Sequence, residues 1–126
     1  MINVLFVGAG GFIGAVSRYG LMLGAARIIG NPTFPWGVLT VNVTGSLIAG
    51  ILTAIGEERH IFSSEARLFL FLGVLGGFTT FSSITNDTLV LVRTGHYIAA
   101  LGTVTLSVVL GLTAVAVGYV LTKAAA

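Results

Sequence analysis

Gly73-Val74-Leu75-Gly76-Gly77-Phe78-Thr79-Thr80-Phe81-Ser82-Ser83 decides how this chain folds, because it sets a glycine pair and four hydroxyl side chains inside a long apolar run. Each glycine costs a helix interior about 1 kcal/mol relative to alanine. Threonine and serine offer nearby backbone groups an alternative to the helix ladder. The stretch is therefore expected to break a membrane-spanning helix over residues 76–83. Non-helical backbone at membrane depth is tolerated only where it is buried in protein or lines a cavity. The break implies a close protein contact or a pathway for something polar.

The surrounding composition makes the bilayer the solvent. The chain has 126 residues, 56% hydrophobic and 8% charged, where a soluble domain carries about 25% charged residues. An integral, all-α membrane protein follows. There is no cysteine, so disulfides and thiolate metal sites are excluded. A net charge of +2 is too small to argue for a nucleic-acid partner. Met1-Ile2-Asn3-Val4-Leu5-Phe6 has no basic n-region, so it is expected to open a retained span and not a cleaved signal.

Going outward from the central stretch, a bilayer core of about 20 residues divides the chain into one four-span domain covering 1–126. The spans are expected at about 2–23, 37–56, 67–93 (containing the break) and 97–122. Span one contains Gly8-Ala9-Gly10-Gly11-Phe12-Ile13-Gly14. That run imitates a dinucleotide-binding turn, which needs an acidic residue about 20 positions on. No acid occurs before Glu57. Close helix packing through Gly10/Gly14 and Gly20/Gly24 is the plainer explanation. Two placements are open to Arg18: snorkelling to the interface, or facing a polar vestibule where it attracts an anion.

The connection from Arg27 to Trp36 holds both prolines and the single tryptophan. Pro35-Trp36-Gly37 is expected as the turn into span two, with Trp36 as an interfacial anchor. Asn42 lies inside that uncharged span and shares a face with Ser46. It serves either an interhelical hydrogen bond or a pore-lining donor. In span three, Asp87 sits at the membrane edge or lines the pathway. His60 is expected to be a solvated loop residue and His96 an interfacial one. Span four carries Thr103, Ser107, Gly111, Ala114 and Gly118 along one face. Its glycine end suits close packing, and the hydroxyls of Thr103 and Ser107 suit an ion.

Basic residues do not orient the chain. With four spans, Arg59, Arg67 and Lys123 fall on one side, and Arg27 and Arg93 on the other, joined by Arg18 if it snorkels there. The positive-inside rule then selects no direction. Such a chain can insert both ways and pair antiparallel, as inverted repeats do in transporters.

Three stretches resemble a known family, the Fluc or CrcB-type fluoride channels. They are Gly10 to Tyr19 in span one, Trp36 to Gly45 in span two, and Gly73 to Ser83 in span three. The resemblance runs over all four spans. It implies an antiparallel, dual-topology homodimer with two pores, exporting fluoride passively and selectively across the cell inner (plasma) membrane. It also implies a structural Na+ at the dimer centre, held by the backbone carbonyls of Gly76 and Thr79. Asn42 corresponds to the pore asparagine, and Phe81 to the first member of a phenylalanine pair. Thr103 and Ser107 correspond to a polar track, and Asp87 to a position where glutamate is usual. The chain departs from the pattern at Ile84, where the second phenylalanine would stand, at Gly111 for a serine and at Val38 for a threonine.

The residue chemistry agrees with an anion path. A fluoride filter must replace tightly held water with donors, and amide NH2 and hydroxyl groups supply them. A phenyl ring offers its positive edge. Two rivals remain at the level of sequence: a small dual-topology multidrug exporter and a purely structural subunit. The exporter needs an acid in span one, and none is present. No nucleophile–base pair suggests an enzyme.

Overall fold

The computed structural model describes residues 1–30 and 33–126. Asn31 and Pro32, part of the expected first connection, lie outside the described residues. The regular secondary structure among the described residues is all helical, and four helical stretches are long and apolar enough to cross a membrane: Ile2–Ile29, Trp36–Arg59, Ser64–Arg93 and Tyr97–Ala125. Helices are the economical answer to such a sequence, because a span in lipid must satisfy its backbone groups internally.

We number the helices α1 (Ile2–Ile29), α2 (Trp36–Arg59), α3 (residues 64–78), α4 (Phe81–Arg93) and α5 (Tyr97–Ala125). Their ends follow local chemistry. Gly30 closes α1 in the left-handed region at φ 60°, a conformation that glycine adopts without steric cost. Pro35 leads into α2, and the Phe34 and Trp36 rings pack there tilted at 50°, with centroids 4.6 Å apart. The Ser63 hydroxyl caps α3 by accepting from Ala66 N at 3.2 Å. The α4–α5 corner is tight. Thr94 N donates to Val90 O at 3.0 Å and His96 N to Leu91 O at 2.8 Å, with Gly95 at φ 81°.

The third span differs in detail from the sequence expectation. Gly76 and Gly77 are helical, so the glycine pair does not itself disrupt the backbone. The non-helical residues are Thr79 (φ −82°, ψ 157°) and Thr80 (φ −153°, ψ 116°), both extended. Ser82 and Ser83 already belong to α4. Thr80 starts that helix because its hydroxyl accepts from Ser83 N at 3.2 Å, the ordinary N-cap arrangement. Upstream, Leu68–Leu75 is wound with wide π turns, and Gly76 N reaches back five residues to Phe71 O. Sequence periodicity gave no sign of this winding.

Small residues set the packing. On α1, a Cβ at Gly10 would meet Phe69 O and Gly73 Cα, and one at Gly14 would meet Val74 O and Phe78 N. On α3, Gly77 stands against Gly11 and the backbone N of Ala15. Gly77 thus serves close approach, and α1 and α3 touch backbone to backbone. The α2–α5 crossing repeats the device, with Gly50 against Val115 O and Gly118 against Leu47 O. Gly20 and Gly24 do not take part: nothing lies within 4 Å of a Cβ at either. Helix α2 is the centre of the bundle. Val38, Leu39, Val41 and Ala54 are buried on it, Val41 completely. At one end, Tyr119 Oη donates to Glu57 at 2.6 Å. Lys123 Nζ lies 3.3 Å from Glu57 and 3.4 Å from Glu58.

Candidate functional site

Three helix faces and the two extended residues enclose a cleft of about 470 Å³. Helix α2 contributes Asn42, Gly45, Ser46 and Ala49, α4 contributes Phe81, Ile84 and Thr85, and α5 contributes Val104, Ser107 and Val108. Each set follows the three- and four-residue steps that keep side chains on one helical face. Leu75, Thr79 and Thr80 complete the wall. Every lining residue is uncharged.

The extended segment is held by Asn42. Its Oδ1 accepts from Thr80 N at 2.8 Å, and its Nδ2 donates to Thr80 O at 3.0 Å. The carboxamide acts as a piece of neighbouring strand, satisfying both backbone groups of one extended residue, as a buried peptide unit requires. Gly45 makes room one turn on, since a Cβ there would strike the Thr79 side chain and lie 3.2 Å from the Phe78 ring. The Thr80 hydroxyl adds contacts to Ser82 Oγ at 3.2 Å and to Ser83 Oγ at 3.1 Å. Thr80 thus uses its N–H, its C=O and its hydroxyl together.

This arrangement also changes two carbonyls. In a continuous helix, Gly76 O would receive Thr80 N–H and Thr79 O would receive Ser83 N–H. The first donor goes to Asn42 and the second to the Thr80 hydroxyl. The two carbonyls expected from the family resemblance to hold sodium are therefore those whose ladder donors have been diverted. Bare carbonyl oxygens suit a hard cation, so the donor set fits the group.

The other sequence-predicted residues divide into two groups. Phe81 and Ile84 line the cleft with Asn42 and Ser107, and the Phe81 side chain stands at its lip, 77% exposed. Thr103 is not among the lining residues. It is 2% exposed and donates its hydroxyl to Ala99 O at 2.8 Å. Arg18 and Asp87 are partly exposed, neither lines the cleft, and neither appears in an ion pair among the described residues.

Sequence reasoning passed over Thr80 and Thr85 and did not place Ser46 in the pathway. The signals were present: Ser46 is four residues from Asn42, Thr85 is four from Phe81, and Thr80 stands three before Ser83 as an N-cap would. The Thr85 hydroxyl is bonded to Ser82 O at 3.0 Å. Among the described residues, the hydroxyls of Ser46 and Ser107 make no hydrogen bond within the chain. They remain available to an occupant of the cleft.

Comparison with known proteins places the chain among similar sequences. The profile of the family described as CrcB-like protein, Camphor Resistance (CrcB), matches residues 5–119. A protein named Fluoride-specific ion channel FluC from Parabacteroides distasonis is 46% identical over 123 residues, covering 98% of this chain and 94% of that protein. A protein of the same name from Rhizobium meliloti is 43% identical over 124 residues, covering 98% of each. One from Agrobacterium fabrum is 48% identical over 95 residues, covering 75% of each.

Proposed function

The chain belongs to the CrcB-like protein family, and from that membership we propose that it is a fluoride channel, a multi-pass membrane protein that moves the ion passively and performs no enzymatic chemistry. The observation that carries this is an uncharged cleft furnished with neutral donors, in a chain so similar to proteins named as fluoride-specific channels. Its place is the cell inner membrane, and its direction of net flow is export down the fluoride gradient.

The cleft chemistry supports selectivity for a small, strongly hydrated anion. Asn42 spends one Nδ2 proton on Thr80 O, and an amide NH2 has a second. Ser46 and Ser107 add hydroxyls. Phe81 presents a ring whose edge is positive. Conduction needs sites that attract the ion without trapping it. Neutral donors meet that requirement better than a lysine or arginine, and the lining has neither. Ile84 supplies shape and dryness at the position where a second ring would stand. Thr103, buried with its hydroxyl proton on Ala99 O, contributes through the packing and register of α5. Arg18 attracts anions toward the mouth, and Asp87 lies near the membrane edge of the third span.

Two copies pair antiparallel, with the third span broken at mid-membrane in each, and form two pores. The near-even distribution of basic residues supports insertion in both directions. The carbonyls of Gly76 and Thr79 would hold a structural sodium, which when bound supplies a positive charge that unpaired carbonyls satisfy. Purified protein in liposomes should release fluoride and retain chloride. Equal release of both ions, or release of neither, would reject the proposal.

A further inference from the structure

We propose that Asn42 is a positioning residue for the cation site, and not only a lining residue of the ion path. The inference rests on sodium binding at Gly76 and Thr79. Asn42 touches neither of those carbonyls. It acts through Thr80. Because Oδ1 takes Thr80 N–H at 2.8 Å, that proton is withheld from Gly76 O, its natural ladder acceptor. Because Nδ2 binds Thr80 O at 3.0 Å, the residue is kept extended at φ −153°. An extended Thr80 places its hydroxyl on Ser83 N at 3.2 Å, and that bond withholds the ladder donor from Thr79 O. One side chain on α2 thereby keeps two carbonyls of the third span free for a cation.

Removing the carboxamide reverses each step. Thr80 N–H, left without an acceptor in a dry bundle, is costly to leave unpaired. The acceptor available along the helix is Gly76 O. Forming that bond winds residues 79 and 80 into the helix and closes the site. The carboxamide oxygen holds Thr80 N–H, whereas the NH2 both anchors Thr80 O and offers its second proton to an anion. Cation binding therefore depends on both ends of the carboxamide, and anion passage on the NH2 alone.

The test is sodium titration by calorimetry on the full chain in detergent, prepared in a sodium-free organic-cation buffer, with fluoride efflux measured in parallel. Asn42→Leu, of similar branched shape but without hydrogen bonds, should weaken sodium binding at least tenfold. Asn42→Asp keeps the acceptor and loses the donor. With one of the two bonds to Thr80 kept, it should weaken sodium binding by about threefold, less than the leucine variant, while fluoride efflux collapses. Should the leucine variant not yield folded protein, Asn42→Ala carries the same expectation. Parent-like affinity in the leucine or alanine variant overturns the role assigned to Asn42. So does an aspartate variant as weak as the leucine one. A parent protein that binds no sodium at all instead refutes the cation site itself.

Discussion

Gly14→Ala measures what the backbone contact between α1 and α3 is worth. A Cβ at Gly14 would land on Val74 O, 2.8 Å from Phe78 N and 3.0 Å from Val74 C. All three are backbone atoms, so no rotamer change relieves the clash and the helices must separate. Overpacking costs about 1–3 kcal/mol, and contact with three backbone atoms at once puts this case near ~3 kcal/mol. Alanine returns about 1 kcal/mol of helix propensity. The balance is a loss of about 2 kcal/mol, or roughly 30-fold in the ratio of folded to unfolded protein. Gly20→Ala is the matched control, because its Cβ would enter open space and only the propensity gain applies. Thermal unfolding in detergent should rank the control above the parent and Gly14→Ala well below it. Val74 and Phe78 lie just before Thr79 and Thr80, so the Gly14 variant should also lose fluoride efflux at matched protein content. A Gly14→Ala protein as stable as Gly20→Ala would refute the close-contact argument.

Three further outcomes follow from the cleft and the chain's charge. Phe81→Ile should abolish most of the fluoride efflux, since no aromatic edge would remain, and Ile84→Phe should raise it. A parent-like Phe81→Ile protein would remove the aromatic edge from the mechanism, and an unchanged Ile84→Phe protein would show that position 84 does not face the ion. Thr80→Ala deletes the cap that starts α4 and should cost about 1 kcal/mol, read as a lower unfolding midpoint; no shift would mean that Asn42 alone sets the turn. A cysteine at position 60, between α2 and α3, should be labelled comparably from both sides of the membrane in cells. One-sided labelling would rule out insertion in both directions.

The fold was legible because the determining forces are coarse. Long uncharged runs have only one economical structure in lipid, and the four helical stretches lie where the apolar runs do. Asn42, Phe81, Ile84 and Ser107 were legible from helical spacing and family resemblance, and they share one cleft. Four details were not. The glycine pair at 76–77 was expected to disrupt the helix, but both residues are helical, and at Gly77 the small propensity cost is outweighed by close contact with α1. The wide winding of Leu68–Leu75 leaves no mark on an apolar sequence that lacks polar residues to report a period. The bonds between Asn42 and Thr80 join positions 38 apart, and no local pattern announces them. Gly20 and Gly24 carry the same spacing as Gly10 and Gly14 yet face open space, because spacing identifies a smooth stripe and not the helix that covers it.

The two glycine-lined crossings also determine how the molecule can move. Where backbone meets backbone, sliding or rotation must displace main-chain atoms, so α1 with α3 and α2 with α5 behave as two stiff pairs. The cleft is bounded by α2 and α5 from one pair and by the segment continuing from α3 on the other. It therefore lies along the seam between two rigid bodies, and the Asn42–Thr80 bonds are a latch across that seam. Gly45 against Thr79 and Phe78 closes the same seam from its apolar side, so polar bonds and packing together set the width of the cleft.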